Sequence, residues 1–424
     1  MFKGKPLLPS YLINYEFETY IILLFFSRFF PIFISPIIKF SVVSYYTEWL
    51  HEIYEIQQSK GILNVWTTYP FLFNLYSFIL NYLAFNNLFI FSVLFYFVNA
   101  VSDSLTGILI WKLLEASPQY YSQYARWLYL FSPLPLFWIF SQQIYDPLVV
   151  FLLVFSAYLI QKYKKASSLL ISLGTSLKII PVFLFLSCIF DKHKRKFFFG
   201  TLVYLIIFLL LINFPIVFNL GLYINFIAWQ SNRPAWESIF GLLEYISNGF
   251  YVPSGLYLNC PSDSFTLKLI GYHVIGITPC PTIFENKITT GLFPISINFL
   301  KLISLFLTGT FTVLFLVFST NKQSFERISL GIISILFAFS FGFSPQYALY
   351  ELVLIILALN SNKVVIYSSI LQVLLLLEYP LVSIVLPLTF NLSIEEILFP
   401  YWLLISIRTV FFLYIAFSLL LNKI

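Results

Sequence analysis

The sequence predicts an all-α polytopic membrane protein, a bundle of about 10–12 transmembrane helices with external loops, and three observations support this prediction. Hydrophobic residues make up 60% and charged residues 10% of the 424 positions, and the mean hydropathy is +0.89. A soluble domain contains about 25% charged residues, so this composition excludes that class. Apolar runs of about 20 residues, the length that a helix needs to cross a bilayer core, recur along the chain. The net charge of +6 is spread over short loops, which gives no indication of a nucleic-acid partner.

Lys and Arg residues orient these runs, because they collect on the cytoplasmic side of a membrane. The opening MFKGKPLLPS lacks the pattern of a cleavable signal peptide, so the first span is expected to remain as an anchor. Placing every basic cluster inside gives one path in which both termini are cytoplasmic. The predicted crossings are 17–40, 87–111, 127–142, 147–161, 197–219, 296–319, 328–343, 347–360, 364–388 and 399–421.

Two apolar segments do not fit this path as simple crossings. Segment 166–190 begins and ends at basic clusters, so it is predicted to be a broken hairpin that turns within the membrane around Lys178 and Pro181. Segment 69–87 would reverse every later loop if it crossed. It is therefore predicted to be a half-inserted or interfacial helix.

The long polar segment after the predicted 197–219 crossing is expected to form a structured cap, because it is rich in Pro and Gly. It contains Cys260 and Cys280 on the predicted oxidising side, so a disulfide between them is expected, with two free thiols as the alternative. The predicted organisation has three parts. A transmembrane module at 1–219 includes the first external loop at 41–69, an external cap follows at 220–295, and a C-terminal set of helices occupies 296–424.

Acidic residues are concentrated just after the first apolar run, in SYYTEWLHEIYE. Glu48, Glu52 and Glu55 are spaced by four and three positions, which places them on one helical face beside His51. One interpretation is an amphipathic helix with a solvated acidic face. The other is a general base, with Glu48 the first candidate because a carboxylate beside apolar surface binds a proton more readily.

Three basic residues lie within apolar runs, where a charge is costly: Arg28, Lys178 and Arg408. Each is either a functional residue, suited to an anionic lipid phosphate, or one half of a structural ion pair. For Lys178 the candidate structural partners are Glu115, Asp146 or another acid. The sequence contains no CxxC, HExxH, GxSxG or phosphate-binding glycine loop, so no metal or other cofactor is predicted.

Several short motifs occur in a characteristic order: Glu48, Gly61, Tyr69-Pro70, Ser132-Pro133, Asp146, Lys164-Lys165, Leu177 to Pro181 and Ser344 to Tyr347. In this order they resemble the polyprenol-phosphate-dependent GT-C glycosyltransferases. The resemblance is to the mannosyltransferase-like members of bacteria and archaea and to the first mannosyltransferase of GPI-anchor assembly. It covers most of residues 20–200 and then 335–360.

The resemblance implies an enzyme that moves a sugar, mannose by analogy, from a polyprenyl- or dolichol-phosphate donor to a lipid-linked or glycan acceptor on the extracytoplasmic face. Transfer would occur with inversion, with Glu48 as base and Glu52 in reserve. It also implies a set of substrate-binding side chains. Asp146 would bind hydroxyls of the donor or acceptor, and Lys178, Arg233 and Arg28 would bind the donor phosphate. Trp236 and Glu237 would contact the sugar, and Gln346 and Tyr347 would contact substrate from a late loop.

Two other functions remain open on the sequence. A non-catalytic subunit that shares this fold would explain why Glu48 stands where the family has Asp and why the motif glutamine is not in its place before Asp146. Such a chain would act within a larger complex, and a small membrane subunit is a further candidate partner. A lipid or sugar transporter is disfavoured, since it would show paired broken helices in two related halves.

Overall fold

The structure, a computed structural model, describes residues 10–34, 44–64, 70–116, 123–137, 139, 144–160, 162–183, 187, 195–220, 238–248, 266–269, 272–275, 297–319, 324–359, 361–385, 389–390 and 394–421. The helices are α1 Ser10–Ile34, α2 Tyr45–Lys60, α3 Phe71–Leu83, α4 Leu88–Ala116, α5 Gln123–Phe131, α6 Pro133–Phe137, α7 Asp146–Leu159, α8 Lys164–Leu177, α9 Arg195–Asn213, α10 Ile239–Asn248, α11 Ile297–Phe318, α12 Phe325–Phe339, α13 Ala348–Ala358, α14 Ser361–Leu376 and α15 Ile394–Leu420. A short antiparallel hairpin pairs β1 Thr266–Leu269 with β2 Tyr272–Ile275.

The predicted fold class, an all-α membrane protein, is confirmed for the bundle, and the short hairpin at 266–275 lies within the segment predicted as a cap. Among the described residues, helices long and apolar enough to cross a membrane are Leu88–Glu115, Asn298–Phe318 and Leu398–Leu420. Shorter apolar helices of 10–17 residues are Phe71–Leu83, Asp146–Leu159, Leu202–Phe218 and Pro345–Ala358. Helix α3, with 13 residues, extends only about 20 Å at 1.5 Å per residue. Its length agrees with a helix that does not cross the bilayer.

Helices α1 and α4 run antiparallel. The ring centroids of Tyr20 and Trp111 are 4.7 Å apart, and those of Phe29 and Phe97 are 5.5 Å apart. Residue numbers therefore rise along α1 as they fall along α4. This arrangement agrees with the predicted path, in which the first crossing and the crossing at 87–111 have opposite directions.

Helices α7 and α8 form an antiparallel pair joined by a short connection. Ser156 and Ser167 bond to one another across the pair, with 2.8 Å between their hydroxyl oxygens. At the other end the Tyr145 hydroxyl donates to the Leu177 carbonyl at 3.2 Å. The carboxyl end of α8 therefore returns to the amino end of α7.

The predicted break at Lys178 is present. Helix α8 ends at Leu177, Lys178 is extended with φ −157° and ψ 136°, and helical backbone resumes at Ile180. Gly174 allows Pro181 to pack closely against α8, because a Cβ at position 174 would lie only 3.2 Å from the Pro181 ring. The break therefore places a lysine at the open end of the α7–α8 pair.

Two predicted crossings are interrupted where the sequence contains proline. The segment at 127–142 is divided into α5 and α6 at Ser132, because Pro133 begins α6 at the position where its missing N–H is tolerated. The segment at 364–388 is α14 followed by a wide π-helical stretch, Leu377–Val385, with non-helical backbone at Tyr379. Sequence hydropathy did not resolve these interruptions.

Candidate functional site

Helix α2 carries the acidic cluster on a solvent-facing side. Ser44 caps its amino end, since the Ser44 hydroxyl accepts from the Thr47 N–H while the Thr47 hydroxyl accepts from the Ser44 N–H. Glu48 and Glu52 are exposed. The opposite face packs into the core with Tyr46, Trp49, Leu50, Ile53 and Tyr54. The predicted one-sided placement of the acids is confirmed, and their carboxylates are accessible.

Aromatic packing connects the start of α2 to the start of α7. The Tyr46 ring centroid lies 6.4 Å from that of Phe73, and the Phe73 centroid lies 4.2 Å from that of Tyr145. Tyr46 is two residues before Glu48, and Tyr145 immediately precedes Asp146. The acidic helix and Asp146 therefore lie at the same end of the bundle.

Asp146 and Lys178 form an ion pair at this end. The distance from Lys178 Nζ to Asp146 Oδ1 is 2.6 Å, and the side chains are 11% and 1% exposed respectively. Asp146 begins α7 and Lys178 follows the end of α8, so the helix dipoles favour both charges. Asp146 is thus the partner that Lys178 adopts among the candidates left open by the sequence.

The SPQY motif contributes aromatic side chains to the pair. Lys178 Nζ lies 4.4 Å from the Tyr347 ring centroid and 5.5 Å from that of Tyr145. The Tyr350 hydroxyl donates to Asp146 Oδ1 at 3.2 Å. The sequence analysis named Tyr347 but not Tyr350. The spacing of three residues, which places both on one helical face, was the signal that could have identified Tyr350. We call Tyr145, Asp146, Lys178, Tyr347 and Tyr350 the Asp146 cluster.

Arg28 lies in a separate, closed network. Its Nε donates to Asp103 Oδ2 at 2.7 Å, and its side chain and that of Asp103 are 0% and 1% exposed. Its guanidinium also donates to the carbonyl oxygens of Tyr129 and Leu130, each at 3.2 Å. This geometry favours the structural alternative for Arg28 over phosphate binding.

Removing Arg28 is expected to destabilise the protein strongly. Arg28→Met leaves the Asp103 carboxylate buried without its cation, a loss of about 3–5 kcal/mol of unfolding free energy. Thermal unfolding in detergent measures this effect. Lys112→Met is the matched control, because the Lys112–Glu115 pair is 40% and 29% exposed. That variant should lose about 1 kcal/mol or less. Equal losses in both variants would contradict the structural role.

Arg408 is also paired in the interior, with Glu378 at 1% and 0% side-chain exposure. Its guanidinium carbon lies 3.8 Å from the Phe343 ring centroid. Phe343 in turn packs against Tyr347, with 5.7 Å between ring centroids. The segment from Phe343 to Tyr347 therefore contacts one buried ion pair at each end, which fixes the position of Tyr347 beside Lys178.

Several predicted residues cannot be placed in the cluster. Gln346 is half-buried in the short 3₁₀ turn beside Tyr347. Within the described ranges, no three His, Cys, Asp or Glu side chains come together as a metal site. Arg233, Trp236, Glu237, Cys260 and Cys280 lie outside the described residues.

These features define a class, an all-α membrane protein with an acidic surface helix and a buried carboxylate–lysine pair where helix ends meet. The model of glycosyltransferase family 87, a GT-C-like membrane family, matches residues 66–248. This match indicates a glycosyltransferase. It includes Asp146 and Lys178, and it excludes Glu48 and Tyr347. No curated protein and no solved structure matches the chain.

Proposed function

We propose that the protein transfers a sugar from a polyprenyl-phosphate donor to a lipid-linked or glycan acceptor at the extracytoplasmic face. By analogy with the family that the motifs resemble, the proposed sugar is mannose. The observation that carries this proposal is the Asp146–Lys178 pair, which lies at the bundle end that also bears the acidic helix. A carboxylate can bind sugar hydroxyls, and an ammonium can bind a phosphate. The donor chemistry requires both.

Glu48 is proposed as the general base. Its carboxylate takes the proton from the acceptor hydroxyl as the hydroxyl oxygen bonds to the anomeric carbon of the sugar. The bond from that carbon to the phosphate oxygen breaks, and polyprenyl phosphate leaves as the anion. Attack opposite the leaving group gives inversion. The exposure of Glu48 leaves its carboxylate accessible to an acceptor hydroxyl, and Glu52, one turn further along α2, is the reserve.

Lys178 is proposed to neutralise the donor phosphate. In the structure its ammonium is held by a carboxylate and by the faces of Tyr347 and Tyr145. A charged phosphate oxygen attracts an ammonium more strongly than the face of a neutral tyrosine ring does. Lys178 can therefore exchange its contacts with the tyrosine rings for contacts with the phosphate. Arg28 is not included, since its network is closed. Arg233, Trp236, Glu237 and Gln346 are kept as proposed contacts to the donor.

The test is an in vitro assay of the purified protein. It uses polyprenyl-phosphate mannose and then polyprenyl-phosphate glucose as donors, with membrane glycolipid as acceptor. Transfer from one donor, with inverted anomeric configuration in the product, is the expected result. Absence of transfer from both donors would overturn the proposal and favour a non-catalytic subunit.

The proposed sidedness predicts a labelling pattern in intact cells. In a variant whose three native cysteines are replaced by Ser, an impermeant thiol reagent should label Glu55→Cys and Phe390→Cys but not Lys165→Cys. All three positions are exposed on the protein, so access to the reagent depends on the membrane. Lys165→Cys should be labelled only after permeabilisation. Labelling of Lys165→Cys in intact cells would reverse the topology.

A further inference from the structure

Two buried groups of side chains in this protein have the same composition. Each combines a cation, an aspartate and a tyrosine whose hydroxyl donates to the aspartate. One contains Arg28, Asp103 and Tyr129, and the other contains Lys178, Asp146 and Tyr350. The aspartates are equally buried, each 1% exposed.

The use of the carboxylate oxygens distinguishes the two groups. Asp103 bonds through both oxygens, with Oδ2 accepting from Arg28 and Oδ1 from Tyr129. Asp146 accepts from both Lys178 and Tyr350 through Oδ1. Neither of these two hydrogen bonds uses Asp146 Oδ2. Each oxygen of a carboxylate can accept hydrogen bonds, so Oδ2 has capacity for a donor from a ligand.

The surroundings of Tyr350 make its hydroxyl a fixed group. Every residue of α13 is buried, and Tyr350 itself is 1% exposed. Tyr347, just before α13, lies against the ammonium of Lys178. One turn of chain thus contacts both members of the ion pair, the lysine through Tyr347 and the aspartate through Tyr350.

We propose that Tyr350 is a positioning residue that holds Asp146 Oδ1, so that Oδ2 accepts a hydrogen bond from a hydroxyl of the sugar donor or of the acceptor. This inference rests on the proposed function. It assigns a role to a residue outside the family match at 66–248. The donor and the acceptor both carry hydroxyl groups, and the kinetic experiment shows which of the two substrates binds Oδ2.

The test is a double-mutant cycle with Tyr350→Phe and Asp146→Asn. Tyr350→Phe removes one hydroxyl and should reduce kcat/KM by about 10–100-fold through misplacement of Asp146. The KM that rises identifies the substrate whose hydroxyl binds Oδ2, the donor or the acceptor. In the Asp146→Asn background, Tyr350→Phe should change kcat/KM by about twofold or less, because the group that it positions is already altered.

Tyr129→Phe is the matched control. It removes a buried hydroxyl that donates to the other paired aspartate, Asp103. It should lower thermal stability and leave kcat/KM within about twofold of the wild type. This comparison separates loss of a buried hydrogen bond from loss of positioning.

The outcomes separate the two proposals. An active wild type in which Tyr350→Phe retains as much activity as Tyr129→Phe overturns the positioning role alone. Additive effects of Tyr350→Phe and Asp146→Asn overturn it as well. A wild type that transfers no sugar from either donor overturns the proposed function, and the role of Tyr350 with it.

Discussion

Glu48→Gln is expected to reduce sugar transfer by about 10²–10⁴-fold, with expression and thermal stability close to those of the wild type. Glutamine has the size of glutamate but cannot take the proton of the acceptor hydroxyl. Glu48 is exposed on α2, and an exposed carboxylate contributes little to folding. The rate loss should therefore appear in kcat without a shift in the unfolding transition.

Matched controls lie on the same helical face. Glu55→Gln removes an exposed acid two turns along α2 and should leave the rate unchanged, since Glu55 is not assigned to the chemistry. Glu52→Gln tests the reserve base. Activity of Glu48→Gln within about threefold of the wild type would exclude Glu48 and direct attention to Glu52. If both variants keep full biological activity, the non-catalytic subunit becomes the better explanation.

Lys178→Met is expected to abolish transfer and also to destabilise the protein. The substitution removes the cation proposed for the donor phosphate. It also leaves the Asp146 carboxylate, 1% exposed, without its ammonium. Removing one partner of a buried pair costs about 3–5 kcal/mol of unfolding free energy. Donor binding, initial rate and thermal unfolding of the purified variant measure the two effects.

The double variant Lys178→Met with Asp146→Asn separates these effects. It removes both charges, so most of the lost stability should return, whereas transfer should remain absent because the phosphate still lacks its cation. Lys165→Met, an exposed lysine near the opposite end of α8, is the control and should retain stability and rate. A stable and active Lys178→Met would contradict both roles. Recovery of transfer in the double variant would contradict phosphate binding.

Features that depend on neighbouring residues were predicted from the sequence. The spacing of Glu48, Glu52 and Glu55 fixes one face of α2, because a helix repeats every 3.6 residues. Length and hydropathy define the membrane class in the same local way. The helix break at Lys178 follows from the small residues before it and Pro181 after it.

The sequence did not decide between partners distant in the chain, although Asp146 was one of the candidates for Lys178. The sequence marked Arg28 and Lys178 as costly charges but did not decide between ligand binding and pairing. Arg28 bonds to Asp103, which is 75 positions away, and Lys178 bonds to Asp146, which is 32 positions away. Each choice depends on which faces of two helices pack together.

The sequence by itself therefore determined the membrane class, the acidic helix, the break at Lys178 and a family resemblance. Tertiary structure alone decided that Arg28 is enclosed and that Tyr350 reaches Asp146 across 204 positions. The physical reason is the range of the interactions. Helical periodicity and membrane partitioning act within a few turns of the chain, whereas a hydrogen bond between helices exists only after packing brings their faces together.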